Sequence, residues 1–193
     1  MAATPSTMVE IGTPMPEFSL PDTVSGSTID NNYFDGARAA LVMFICNHCP
    51  FVIHVRDELV NVAKAYAGKG VRTVAISAND PTTHGDDSPE KMAELARELN
   101  FPFPYLFDES QEVAKSFRAA CTPDLFAYDS NRRLYYRGQL DDSRPGNDKP
   151  IDGRDLRAAL DSLLAGGPPP SEQRASMGCN IKWKPGNEPD YYS

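Results

Sequence analysis

The sequence predicts an α/β domain in which parallel strands, joined by crossover helices, are closed by an antiparallel hairpin. Three observations carry that expectation. Short apolar runs rich in β-branched and aromatic residues alternate with stretches whose apolar residues recur three or four apart. Gly, Pro and Ser residues punctuate the joins. The last two strand-like runs follow one another with only a turn between them, which breaks the alternation. The chain has 193 residues, 40% hydrophobic and 24% charged, enough to bury one real core.

In order, "EFSLPD" (17–22) and "GSTID" (26–30) read as short strands about a Gly turn. "AALVMFIC" (39–46) is a buried strand by its length and composition. From Pro50 the spacing changes: Val52, Val55, Leu59, Val62, Ala63 and Tyr66 form an apolar stripe, with Arg56, Asp57, Asn61 and Lys64 between them. This is an amphipathic helix, opened by Pro50 and closed by Gly68 and Gly70. "VRTVAIS" (71–77) is the next strand. "SPEKMAELARELN" (88–100) is a helix with Ser88 as N-cap, Pro89 in its first position and Lys91 facing Glu94. "FPYLFD" (103–108) reads as a strand and "ESQEVAKSFRAA" (109–120) as a helix. "DLFAYD" (124–129) and "RLYYRG" (133–138) are strands joined by "SNR", and "GRDLRAALDSLLAGG" (153–167) is a helix that stops at Gly166. Residues 166–193 are rich in Pro, Gly and Ser and read as a tail, with no internal repeat in the chain.

Composition excludes several roles. The net charge is −8, from 19 basic and 27 acidic residues, and no basic stripe is present, which argues against nucleic acid as a partner. The longest apolar run, 39–46, is far too short to span a membrane, and "MAATPSTMVEIG" lacks a secretory pattern. The expected location is therefore cytoplasmic, where cysteine pairs tend to be catalytic, sensing or metal-binding.

The chemistry gathers in "ICNHCPFVIHV" (45–55), which sets Cys46, His48 and Cys49 between a strand end and a helix start. Open sheets place their chemistry at the carboxyl ends of the strands. A sulfur at Cys49 would meet free backbone N–H groups and the positive end of the helix dipole, both of which favour thiolate over thiol. Three readings stand at this point: a dithiol redox site, a soft-metal clamp by Cys46, His48 and Cys49, or small residues packing a turn. A closed zinc site needs four ligands, and neither His54 nor His84 is an obvious fourth, so no metal is expected. His48 could tune the Cys49 thiolate, accept a proton, or cap the turn. No dinucleotide or phosphate motif appears; no cofactor is expected, and electrons must come from an external thiol.

Three stretches, "PEFSLPD", "LVMFICNHCPFV" and "ACTPDLFAYDSNRRLYYRG", resemble the redoxin group of thioredoxin-fold proteins over residues 8–165. That group contains peroxiredoxins (alkyl hydroperoxide reductases) and thioredoxin-like thiol–disulfide oxidoreductases. The resemblance implies a thioredoxin-like fold, a central mixed β-sheet flanked by helices, with an N-terminal hairpin extension and a C-terminal tail. It implies Pro123 as the cis-proline opposite the active cysteine, Thr122 on the peptide that contacts substrate, and Cys121 nearby as a packing or accessory residue. In the thioredoxin register the first cysteine falls on Cys49 and the second on Val52. In the peroxiredoxin register Cys46 takes the place of a Thr or Ser, Pro50 matches a proline, and Val42 replaces one. Both registers put Cys49 at the helix N-terminus.

The resulting expectation is thiol–disulfide exchange with Cys49 as an exposed nucleophile, the fastest of the four cysteines to alkylate, and Cys46 as its partner sulfur. The substrates would be protein or small-molecule disulfides. A thiol peroxidase acting on hydroperoxides and a non-catalytic binding or metal-carrying module are the alternatives. In the tail, "MGCNIKWK" (177–184) carries apolar residues unlike a linker. The favoured reading is a strap docked on the body with Cys179 incidental; the sharper one makes Cys179 a resolving cysteine. "GQLDDSRPGND" (138–148), with Asp141, Asp142 and Arg144, is expected to be a solvated loop, or else to line the site.

Overall fold

The computed structural model describes residues 3–191. Its centre is a five-stranded mixed sheet: β4 (Ala39–Phe44), β5 (Val71–Ser77), β6 (Tyr105–Phe107), β8 (Asp124–Asp129) and β9 (Leu134–Gly138), in the order β6-β5-β4-β8-β9. The β4–β5 and β5–β6 pairs are parallel, while β8 runs antiparallel to both β4 and β9. The expected crossover topology with a closing hairpin is present. A second hairpin pairs β2 (Ser19–Pro21) with β3 (Thr28–Asp30).

Side-chain alternation along β4 divides the core. Leu41 and Met43 pack with helix α1 (Pro50–Ala67), helix α2 (Pro89–Glu98) and helix α4 (Arg154–Leu164), through Leu59, Met92 and Leu156 among others. Ala40, Val42 and Phe44 face the other half-core, with Phe18, Phe117, Phe126, Ile181 and Trp183. Every residue of β4 is buried, as a central strand covered on both faces requires. Ser88 caps α2 by accepting from the Lys91 N–H, with Pro89 in the first turn, as the sequence implies. The segment 109–120 is helical only over Glu112–Ser116, α3, because Gln111 precedes it and Arg118 follows it with positive φ.

Three short strands form a second sheet that sequence patterning does not reveal. It comprises β1 (Ala3–Pro5), β7 (Cys121–Thr122) and β10 (Met177–Asn180), in the order β1-β10-β7. The tail is thus built into the fold. Beyond β10, Ile181 and Trp183 are buried in the second half-core, so the docking expected of the tail is observed. No helix among the described residues is long and apolar enough to cross a membrane.

Candidate active site

The site lies where β4, α1, β7 and β10 meet. Cys46 follows the end of β4, and the Asn47–His48 turn leads to Cys49, the N-cap residue of α1, with Pro50 at the first helical position. From the other side comes the Thr122–Pro123 peptide, which is cis, as the resemblance implies. The Cys49 Sγ lies 3.2 Å from the Thr122 carbonyl oxygen, and the Cys46 Sγ lies 3.4 Å from the Thr122 hydroxyl oxygen. The third sulfur belongs to the tail: the Cys179 Sγ is 2.6 Å from the Cys49 Sγ. All four cysteines are free.

The electrostatics separate these thiols. The Cys49 thiol is pulled down to about 4, first by a hydrogen bond from Cys46, against the opposing effect of burial, with Cys179, the Val52 N–H and Thr122 contributing. A hydrogen bond to the charged form favours that form. Cys46 moves the opposite way, well above the ordinary thiol range, because it hydrogen-bonds to Cys49, is buried and sits near Asp87. Cys179 is pushed up to about 12 by burial and then by the hydrogen bond and charge of Cys49. The arrangement is one thiolate held between two protonated thiols.

Exposure departs from expectation. Cys49 is 0% exposed and Cys179 2% exposed, so the nucleophile is not open to solvent. The strand pairing of β10 with β7 covers it, and the expectation of an exposed Cys49 is corrected accordingly.

The His48 ring is held by Asp87, a wholly buried carboxylate in the turn before α2. One Asp87 oxygen accepts from the Asn47 N–H at 2.7 Å and the His48 N–H at 3.3 Å. The other accepts from the His48 Nδ1–H at 2.5 Å and from Asn79 at 2.8 Å. Asp87 therefore fixes the conformation of the Asn47–His48 turn that sets the relation of Cys46 to Cys49. His48 Nε2 is buried without a partner, and the ring stacks on His84 at a centroid distance of 4.7 Å. Among the described residues, ligand atoms of Cys46, His48 and Asp87 lie within 4.8 Å of one another, a candidate metal cluster that includes Asp87 in place of Cys49. Both Asp87 oxygens already accept protein donors, which suits a carboxylate that positions a turn.

The remaining residues sort plainly. Cys121 is buried, its Sγ 3.6 Å from the Pro123 carbonyl oxygen, and burial followed by Asp124 pushes its thiol well up. The loop 138–148 is solvated only at its tip, residues 145–148, while its first part is buried. Asp141 is buried and accepts from the N–H groups of Ser143, Asp152 and Gly153, tying the loop to the start of α4. It also walls a cavity of about 20 Å³ with Phe51, Pro123, Leu140 and Met177, beside the cis-proline. Local sequence patterning does not reveal the role of Asp87 or the pairing of β10. Asp87 carries no sequence signal beyond an acidic residue before a helix cap. Gly178 does carry one: a Cβ there would stand 1.9 Å from the Thr122 carbonyl oxygen, so only glycine permits the approach.

Comparison with known proteins agrees with this fold. Curated proteins give no sequence match. Among solved structures, an uncharacterized conserved protein from Geobacillus kaustophilus is 51% identical, with a TM-score of 0.94 over 96% of this chain and 98% of its own. A hypothetical protein from Sinorhizobium meliloti 1021 is 45% identical, with a TM-score of 0.93 over 95% of this chain and 100% of its own. The peroxidoxin BcpB from Mycobacterium tuberculosis, at 18% identity, superposes with a TM-score of 0.61 over 82% of this chain and 98% of its own, a likeness of fold. The model of the redoxin family matches residues 10–154. With a thioredoxin-like fold and a buried thiolate facing a cis-proline, this chain belongs to the redoxin family, whose chemistry is thiol-based redox.

Proposed function

We propose that the protein is a thiol–disulfide oxidoreductase with Cys49 as nucleophile. The observation that carries the reading is the Cys49 sulfur at the N-terminus of α1, beside the cis-proline peptide and 2.6 Å from the Cys179 Sγ, where its surroundings pull the thiol down to about 4. The Cys49 thiolate attacks one sulfur of a substrate disulfide and expels the other as thiolate. A second thiol then attacks the mixed disulfide at Cys49 and releases the remaining half of the substrate. Two thiols act on the Cys49 sulfur, Cys46 and Cys179, and the Cys179 Sγ stands 2.6 Å from it. An external thiol of the surrounding pool returns the enzyme to its reduced state.

The low pKa has a consequence for direction. A thiolate stabilised in the reduced form makes the corresponding disulfide easier to reduce, because Cys49 is then a good leaving group. The enzyme disulfide is accordingly expected to be readily reset by the external thiol. The test is steady-state turnover of a protein disulfide such as insulin with a thiol reductant, run beside turnover of a hydroperoxide, on the wild type and on Cys49→Ser. Disulfide turnover that vanishes in the variant supports the reading. Hydroperoxide turnover without disulfide turnover would transfer the assignment to a thiol peroxidase.

A further inference from the structure

The tail does more than cover the site. β10 runs antiparallel to β7 with Cys179 opposite Thr122 and Asn180 opposite Cys121, and β1 closes its other edge with Ala3 opposite Cys179. This register places the tail cysteine directly over the cis-proline peptide and the Cys49 sulfur. Contacts anchor both sides of the strand. On one side Ser176 donates to the Gly138 carbonyl at 2.7 Å and exchanges hydrogen bonds with Ser6. On the other, the Ile181 N–H reaches the Ala120 carbonyl, and the Lys182 N–H reaches Asn79 at 2.8 Å.

We propose that β10 is a resolving arm, and that Cys179, rather than Cys46, is the thiol that closes each catalytic turn. The proposal rests on the assignment of Cys49 as nucleophile. Substrate reaches Cys49 when Met177–Asn180 lifts from β7, and the anchors on either side bring the strand back. The Cys49 thiolate breaks the substrate S–S bond, forms a mixed disulfide and releases one substrate thiolate. Cys179 then passes its proton to that thiolate and attacks the Cys49 sulfur, releasing the second substrate thiolate. Two cysteine thiols are oxidised to a Cys49–Cys179 disulfide, one substrate disulfide is reduced to two thiols, and an external thiol resets the pair.

The surroundings favour Cys179 over Cys46 once the first step is complete. Each is held protonated partly by its hydrogen bond to the Cys49 sulfur, and that influence ends when Cys49 becomes a neutral mixed disulfide. Burial still opposes ionisation of both; Asp87 adds to it at Cys46 while Thr122 relieves it, whereas Lys182 and the Phe51 backbone N–H both assist ionisation of Cys179.

The experiment is single-turnover release of nitrothiobenzoate from dithiobis(nitrobenzoate), with peptide mapping of the product. The wild type and Cys46→Ser should each release two equivalents per chain and contain a Cys49–Cys179 disulfide. Cys179→Ser should lose the second equivalent and keep a stable nitrothiobenzoate adduct on Cys49. Gly178→Ala retains every thiol but forces the strand off the Thr122 carbonyl. It should release the first equivalent faster and the second more slowly than wild type. A second equivalent released by Cys179→Ser, or Gly178→Ala resolving at the wild-type rate, would overturn the arm. Cys49→Ser retaining the fast phase would instead overturn the assignment of the nucleophile beneath it.

Discussion

Replacing Cys46 with alanine removes the S–H donor that contributes most to holding Cys49 as a thiolate. A hydrogen bond to a charged acceptor contributes about 1.5–3 kcal/mol, and one pKa unit corresponds to about 1.4 kcal/mol, so the loss should raise the Cys49 midpoint by roughly 1–2 units. From about 4 in the wild type, it would move only part of the way back to the ordinary thiol value of 9.0. The Val52 N–H and Cys179 still favour the thiolate in the variant. The measurement is the ultraviolet absorbance of thiolate as a function of pH. Cys46 and Cys121 lie well above the ordinary range and Cys179 at about 12, so below neutral pH only one sulfur titrates. Cys46→Ser is the control, because its hydroxyl can donate in place of the thiol and should leave the midpoint much nearer the wild type. An unshifted midpoint in Cys46→Ala would refute the reasoning, as would equal shifts in the two variants.

Other outcomes follow from the same structure. Cys49 is an acid whose folded pKa, about 4, lies below the ordinary 9.0, so its contribution to stability is complete above about pH 9 and is lost as pH falls toward 4. In denaturant titrations, the unfolding free energy of wild type minus Cys49→Ser should rise by up to about 1.4 kcal/mol per pH unit across the neutral range, and a flat difference would contradict the shift. Asp87→Ala removes the acceptor of four donors around the Asn47–His48 turn and should cost about 3 kcal/mol or more in urea unfolding. Ile181→Ala, at a site 1% exposed, should cost about 2–4 kcal/mol and hasten alkylation of Cys49 by iodoacetamide; unchanged alkylation would mean the tail does not guard the thiol.

What could be read in the sequence follows from the range of the interactions involved. β5 has the bounds its β-branched run implies, and α1 starts at Pro50 and ends beside Gly68, because local patterning decides both. β4 stops at Phe44, two residues short of its apolar run, since Ile45 and Cys46 turn toward α1 while remaining buried. Cys46 and Cys49 are legible because a strand end and a helix start are local features, whereas Pro123 is legible only through the family resemblance. β1, β7 and β10 are not, being strands of two to four residues whose only reason for extension is one another. Asp87 sits about forty residues from the turn it organises (|i−j| of 40 to the Asn47 N–H), so no spacing rule could link them. The burial of Cys49 escaped for the same reason. It depends on a strand contributed 130 residues further along the chain.

The most direct test of the central claim is the cysteine connectivity of the wild-type protein after reaction with one equivalent of a disulfide oxidant, mapped by mass spectrometry of its peptides. Cys49 should be a member of every disulfide formed, with Cys179 its partner and Cys121 unmodified. A disulfide between Cys46 and Cys121, or full oxidation that leaves Cys49 as free thiol, would contradict the assignment of Cys49 as the reacting sulfur.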